Sequence, residues 1–176
     1  MKSNSENYGK IAVSIHWFSA VLIVVLLGSG FRAGFSEDVA TKVDALRVHL
    51  PVAVLVMLLT IFRVIWWWRI DTKPQPLDGT PDWQRVTAHW THMLLYLLVV
   101  LLLVSGTTMS VLSGLPDALF GAAQFPNLAE LPPRTGHGIG ARLIVALIFL
   151  HAGAALFHNL YLRDSTLRRI WFRKGP

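Results

Sequence analysis

The sequence predicts an all-α integral membrane protein, folded as a four-helix bundle with both termini in the cytoplasm. The 176 residues are 53% hydrophobic and only 15% charged, whereas a soluble domain carries about a quarter charged residues. The apolar residues are gathered into four segments, each near the ~20 residues that a bilayer requires. These two observations define the fold class.

Four spans follow one another along the chain. Their predicted bounds are about 11–30, 46–68, 86–109 and 136–162, and the whole chain, residues 1–176, is interpreted as one transmembrane domain. The connectors between the spans are rich in proline and charge, and those on the outer side are expected to be about 15 and 25 residues long. The first apolar run has no small-residue cleavage site, so we expect a retained span and not a signal peptide.

Basic residues determine the predicted orientation, because lysine and arginine accumulate on the cytoplasmic side of a membrane. The termini and the middle connector hold 11 of the 16 basic residues: Lys2, Lys10, Arg63, Arg69, Lys73, Arg85, Arg163, Arg168, Arg169, Arg173 and Lys174. The opposite side holds Arg32, Lys42, Arg47, Arg134 and Arg142. We therefore place the chain in the bacterial inner membrane, with an interfacial tryptophan belt on the cytoplasmic side formed by Trp66, Trp67, Trp68 and Trp171. The net charge of +6 then reflects topology and not nucleic-acid binding.

Histidine is the residue type that indicates chemistry. The chain has seven histidines and no cysteine, which excludes disulfides, c-type haem attachment and iron–sulfur ligation. Four histidines lie in the apolar segments: His16, His49, His137 and His151. An imidazole in hydrocarbon is costly and therefore usually functional. His137 and His151 are 14 residues apart in one span, so their rings leave nearly the same helix face, about 21 Å apart.

Depth sorts these four histidines into two levels. His49 and His137 enter their spans from the outside and form an outer level, while His16 and His151 form an inner level nearer the cytoplasm. Two matched pairs of imidazoles are typical of axial ligands to b-type haem. We predict two haems b, one bound by His49 and His137 and the other by His16 and His151.

Glycines accompany the outer level and would leave room for a flat cofactor. Gly30 and Gly106 fall at this depth, and Gly136, Gly138 and Gly140 crowd the same region. Close helix packing alone would explain the glycines equally well. Each single histidine could also do no more than bond a neighbouring helix.

The residues resemble the bacterial cytochrome b561 family over essentially the whole chain, and within it the stand-alone Escherichia coli-type members. The resemblance rests on IHW, LRVHLPVAV, HMLLY with a later SG, and HGIGARLIVALIFLHAGAALFHNLYLRDSTLRRI. The pattern is also similar to the dihaem cytochrome b subunits of nickel–iron hydrogenases and formate dehydrogenases. The resemblance implies four helices, two bis-histidine b haems on the four histidines named above, and electron exchange with membrane quinone.

The stand-alone resemblance further implies a superoxide oxidase that passes electrons from periplasmic superoxide to ubiquinone. An anionic donor would be attracted by the outer basic residues, of which the candidates are Arg32, Lys42, Arg47 and Arg134. Two other classes stay open: a non-catalytic subunit that links a partner dehydrogenase to quinone, and a haem-free transporter of metal or protons. No obligatory protein partner is inferred.

His158 is the predicted quinone contact. It lies seven residues past His151, two turns along the same face and about 10 Å nearer the cytoplasm. An imidazole titrates near neutral pH, which suits proton delivery to a reduced quinone. Lys10, Thr91 and His92 could complete the site; alternatively, His158 only faces lipid headgroups.

His89 and His92 have several possible roles. They are spaced i, i+3 on the third span and so face one direction. They could be alternative inner-haem ligands, a quinone-side pair or a surface metal site.

Overall fold

The computed structural model describes residues 2–77 and 79–172. Its helices in chain order are α1 (Lys10–Phe35), α2 (Val39–Ile65), α3 (Asp82–Ser113), α4 (Leu115–Phe120), α5 (Pro133–Phe157) and α6 (Thr166–Arg169). A π-helical turn extends α2 over Trp66–Ile70 and another extends α5 over His158–Leu162, while Leu128–Glu130 forms a 3₁₀ turn. Arg173 and Lys174, counted among the cytoplasmic basic residues, lie outside the described residues.

Four helices are long and apolar enough to cross a membrane, over 10–35, 39–70, 82–113 and 133–162. The predicted all-helical four-span fold is confirmed, and the described ranges contain no strand. Each helix is longer than its predicted span, because polar residues continue the helix beyond the hydrocarbon. Asp38 shows this for α2, since its Oδ2 accepts a hydrogen bond of 2.8 Å from the Thr41 backbone N–H and so caps the helix. The first outer connector is therefore three residues, 36–38, and not about 15.

The long helices are arranged as two hairpins. We call α1 with α2 the first hairpin and α3 with α5 the second hairpin, because the helices of each pack closely along one another. Among the described residues, the long helices of one hairpin approach those of the other only at isolated points. Large apolar side chains such as Val111 and Phe149 are exposed, as expected of a surface that faces lipid. The two hairpins therefore stand further apart from each other than the helices within each hairpin do, and we call the space between them the gap.

The short helix α4 covers the outer end of the bundle. It packs against both α2 and α3, and its Leu119 is fully buried. Arg47 Nε of α2 donates a 2.8 Å hydrogen bond to the Leu119 carbonyl oxygen. These contacts join the first hairpin to the second at this end.

Asp71 ties the N-terminal segment to the inner end of α2. Its carboxylate accepts hydrogen bonds from Ser3 N, from Ser3 Oγ at 2.9 Å and from Trp66 Nε1 at 3.2 Å. Burial raises the pKa of Asp71, but these hydrogen bonds outweigh it and the pKa lies below its usual value. Because its indole N–H is bonded to Asp71, Trp66 is buried and does not join the predicted tryptophan belt, whereas Trp68 and Trp171 are exposed.

Candidate functional site

The four intramembrane histidines meet in two pairs across the gap between the hairpins. His16 of α1 faces His151 of α5 with 6.4 Å between ring centroids and 58° between ring planes. His49 of α2 faces His137 of α5 with the same 6.4 Å between centroids and 67° between planes. All four rings are half-buried. The structure therefore brings together the same pairs that depth along the spans predicts.

The distance between paired rings suits two imidazoles on opposite sides of one metal ion. A metal–imidazole bond of about 2.0–2.1 Å and a ring radius of about 1.1 Å place two trans ring centres about 6.3 Å apart. The measured 6.4 Å at both levels is close to this value. The residues present thus fit a bis-histidine iron at each level, and the assignment of haem ligands stays a prediction.

The outer ring of His49 is held in the tautomer that a metal ligand needs. Its Nδ1 lies 3.1 Å from the Leu26 carbonyl oxygen and 3.1 Å from Ser29 Oγ. A carbonyl oxygen only accepts hydrogen bonds, so Nδ1 must carry the proton. The Nε2 lone pair of His49 is therefore free to bind a metal.

A second serine holds the other outer ring in the same way. Ser105 Oγ donates to the Leu101 carbonyl oxygen at 2.8 Å and lies 2.9 Å from His137 Nδ1. With its proton used by that carbonyl, the hydroxyl accepts from the imidazole. Ser29 and Ser105 are not among the residues predicted from the sequence, although LLGSG at 26–30 and LLVSG at 102–106 are a visible signal.

Two of the predicted glycines pack directly against the outer rings. A Cβ atom on Gly30 would lie 3.1 Å from His49 Cε1, and one on Gly106 would lie 3.2 Å from His137 Cε1. Gly140 instead accommodates Leu102 of α3, and Gly136 has open space around it. Only Gly30 and Gly106 are therefore needed for the outer histidines to reach the gap.

His92 lies beside the inner pair but at a different distance. Its ring centroid is 5.3 Å from that of His151, which is too short for two imidazoles across one metal ion. Its Nδ1 lies 2.6 Å from the Ala88 carbonyl oxygen of its own helix. His89 points elsewhere and packs edge-on against Trp90. No cluster of three or more potential metal-ligating side chains occurs within the described residues.

His158 is paired with a carboxylate that the sequence analysis missed. Its Nδ1 is 2.5 Å from Asp164 Oδ2, and Asp164 Oδ1 also accepts from the Thr166 backbone N–H at 2.8 Å. Burial raises the pKa of Asp164, but the hydrogen bonds from His158 and Thr166 outweigh it, so the pKa lies below its usual value. No hydrogen bond in the described part of the chain joins His158 to the other predicted quinone residues, which are Lys10, Thr91 and His92.

A cleft lies between α2 and α3. It has a volume of about 370 Å³ and belongs to the gap between the hairpins. Its walls are nearly all apolar and consist of Met57, Thr60, Ile61, Val100, Leu103, Val104, Thr107 and Thr108. The paired histidines are not among the residues that line it, so the cleft is separate from the two histidine levels.

Of the predicted outer basic residues, Arg134 contacts both hairpins. Its guanidinium is 3.4 Å from the Cβ position of Gly34 on α1 and equally close to that of Gly138 on α5. Arg47 is already bonded to the Leu119 carbonyl oxygen. Arg134 thus extends from α5 to α1 and brings its positive charge into contact with both hairpins.

The comparisons with known proteins agree with this geometry. A family model described as prokaryotic cytochrome b561 matches residues 7–173. The chain is 29% identical to "Cytochrome b561 homolog 2" of Escherichia coli K12, over 94% of this chain and 91% of that protein. It is 25% identical to "Cytochrome b561 homolog 1" of the same strain, over 96% and 99%. It is 27% identical to "Probable superoxide oxidase CybB" of Yersinia pestis, over 96% and 98%.

Proposed function

The chain belongs to the prokaryotic cytochrome b561 family, and on this premise we propose that it is a superoxide:ubiquinone oxidoreductase of the bacterial inner membrane. The family consists of membrane-bound electron-transfer proteins with b-type haem. In the proposed reaction, two superoxide anions are oxidised to two O₂. One ubiquinone takes up the two electrons and two protons and becomes ubiquinol.

The observation that carries the proposal is the pair of equal histidine distances across the gap. Both pairs bridge the two hairpins at 6.4 Å between ring centroids. The two histidines of α5 are 14 residues apart, so the levels are separated by about 21 Å along the helix. One cofactor at each level would reach most of the way across the hydrocarbon.

The four histidines bind and orient the cofactor irons. Haem supplies one-electron transfer when it is bound. If His49 with His137 and His16 with His151 each hold one haem iron, superoxide and quinone are expected to exchange electrons without binding to the iron. The substrates are expected to approach through the protein surface near each level.

The outer surface suits an anionic donor. Arg134 contacts both hairpins, and its positive charge raises the local concentration of superoxide. The name "Probable superoxide oxidase" of the Yersinia pestis relative supports this donor. The attraction weakens as salt screens the charge.

The inner end suits a quinone that takes up protons. The Asp164 carboxylate holds His158 through Nδ1 at 2.5 Å, which leaves Nε2 to contact a quinone oxygen. With its ring held in this orientation, His158 would pass a proton to the reduced quinone, and the proton would be replaced from the cytoplasmic side. His158 is the proposed quinone contact, and Asp164 orients it.

Stopped-flow absorbance of the purified, oxidised protein mixed with superoxide tests the function. We expect rapid appearance of reduced haem bands, their loss when ubiquinone is added, and no reduction when superoxide dismutase is present. Haem bands that do not respond to superoxide would favour an electron-transfer subunit that serves a partner dehydrogenase. A colourless protein would contradict the haem assignment itself.

A further inference from the structure

The chain contains one segment that occurs in two similar copies, and the serine and glycine that end each copy have no part in the proposed reaction. HWFSAVLIVVLLGSG at 16–30 and HMLLYLLVVLLLVSG at 92–106 have the same length, begin with histidine and end with serine and glycine. The first copy lies in α1 and the second in α3, so each is in the leading helix of a hairpin. The two hairpins are therefore variations on one plan.

In each copy the terminal serine and glycine contact the outer histidine of the other helix in the same hairpin. Ser29 Oγ is 3.1 Å from His49 Nδ1, and Ser105 Oγ is 2.9 Å from His137 Nδ1. The adjacent glycine lets the ring lie against the helix in both cases. The arrangement occurs twice, once on each side of the predicted outer haem.

Both serines act as hydrogen-bond acceptors toward the imidazoles. Ser29 Oγ donates to the Val25 carbonyl oxygen at 2.7 Å, as Ser105 Oγ does to that of Leu101. The imidazole N–H is therefore the donor in both pairs. Donation from Nδ1 makes a metal-bound imidazole more basic and a stronger electron donor, which favours the oxidised metal.

The inner level differs in two respects. Neither His16 nor His151 makes a hydrogen bond to protein through Nδ1 in the ranges that the structure describes. Arg63 of α2 comes 14 residues after His49, as His151 comes 14 after His137, so a positive charge lies on α2 at the depth of the inner pair. A nearby positive charge favours the reduced metal.

We propose that Ser29 and Ser105 are positioning residues that lower the midpoint potential of the outer haem relative to the inner haem. Electrons that enter at the outer level then move downhill toward the cytoplasmic side. This inference rests on the proposed ligand set and is independent of the identity of the donor.

A spectroscopic redox titration of the purified full-length protein tests the inference. In the variant S29A/S105A we expect the outer haem to titrate at a higher potential, while the inner haem stays within error of the wild type. The variant His16→Ala is expected to retain only the outer haem, so its titration identifies which redox transition belongs to that haem. S113A is the matched control, because Ser113 Oγ also bonds a carbonyl of α3, that of Met109 at 2.7 Å, without contacting a histidine.

Each outcome of the titration has a separate meaning. Unchanged potentials with both haems bound would overturn the role of the serines and leave the ligand set intact. If the double variant fails to bind the outer haem, the single variants and S29T/S105T replace it. The single variants S29A and S105A should each raise the midpoint potential of the outer haem. S29T/S105T keeps both hydroxyl groups and should raise it less. Equal potentials in the alanine and threonine variants would overturn the proposal. A wild-type protein without haem would instead contradict the proposed function.

Discussion

Each outer imidazole lies so close to a glycine of the neighbouring helix that a methyl group on that glycine would press against the ring. The Cβ position of Gly30 lies 3.1 Å from His49 Cε1, whereas nothing lies within 4 Å of the Cβ position of Gly28 on the same helix. Replacing a glycine inside a helix by alanine is favourable by about 0.5–1 kcal/mol when space permits, and overpacking costs about 1–3 kcal/mol when it does not.

Gly30→Ala should therefore displace His49 and lower the content of the outer haem, leaving the inner haem bound. Gly28→Ala should bind both haems and unfold at an equal or slightly higher temperature. Haem absorbance per protein and thermal unfolding by circular dichroism measure the two effects. A full content of outer haem in Gly30→Ala would show that the space at Gly30 does not position His49.

Single residues differ in how far the sequence predicts them. His16, His49, His137 and His151 are prominent because an imidazole is rare in hydrocarbon, and their pairing follows from depth alone. Ser29 is not prominent, because a serine in a membrane helix usually bonds its own backbone. Its contact with His49 depends on the packing of two helices, which no local pattern encodes.

At the scale of the element, α5 carries most of the candidate chemistry. It supplies one histidine to each level and ends in a π-helical turn that begins with His158. Arg163, which follows this turn, adopts a left-handed conformation with φ +54° and redirects the chain. The redirected chain brings Asp164 back onto His158. The sequence predicts His158 from its helical face, but the returning carboxylate depends on this irregular helix end.

Asp164→Asn should slow the reoxidation of reduced haem by ubiquinone about tenfold or more, because an amide holds the His158 ring less firmly than a carboxylate does and so directs Nε2 toward the quinone less well. Reduction by superoxide at the opposite end should be unchanged. Stopped-flow measurements of the two half-reactions separate these effects. Asp82→Asn is the matched control, since Asp82 is an exposed carboxylate that contacts only Arg85 in a surface ion pair. Equal rates of reoxidation in the wild type, Asp164→Asn and Asp82→Asn would show that Asp164 is not part of the quinone site.

Helix ends were predicted less well than helix interiors. The apolar stretches locate all four spans, because hydrocarbon thickness imposes a minimum length. The polar turns beyond them, such as 39–45 before the second span, carry no such signal and are set by caps and by packing. The burial of Trp66 is also not predicted, because its hydrogen bond to Asp71 depends on the tight turn that brings the two residues together.

At the scale of the whole molecule, the two hairpins stand apart along most of their described length. The helices of each hairpin pack closely, and the hairpins approach one another only at isolated points among the described residues. Histidine pairs span this gap at two depths with equal ring distances. We expect the proposed haems to lie between the two hairpins and to complete the core of the bundle.

The most direct test of this account is the haem-to-protein ratio of the purified wild type beside His16→Ala and His49→Ala. We predict two haems b per chain in the wild type and one in each variant, with different absorbance maxima for the haem that remains. Folded helices, checked by circular dichroism, validate the comparison. Loss of both haems to the same degree in each folded variant, or a wild type that binds fewer than two, would contradict the two-level arrangement.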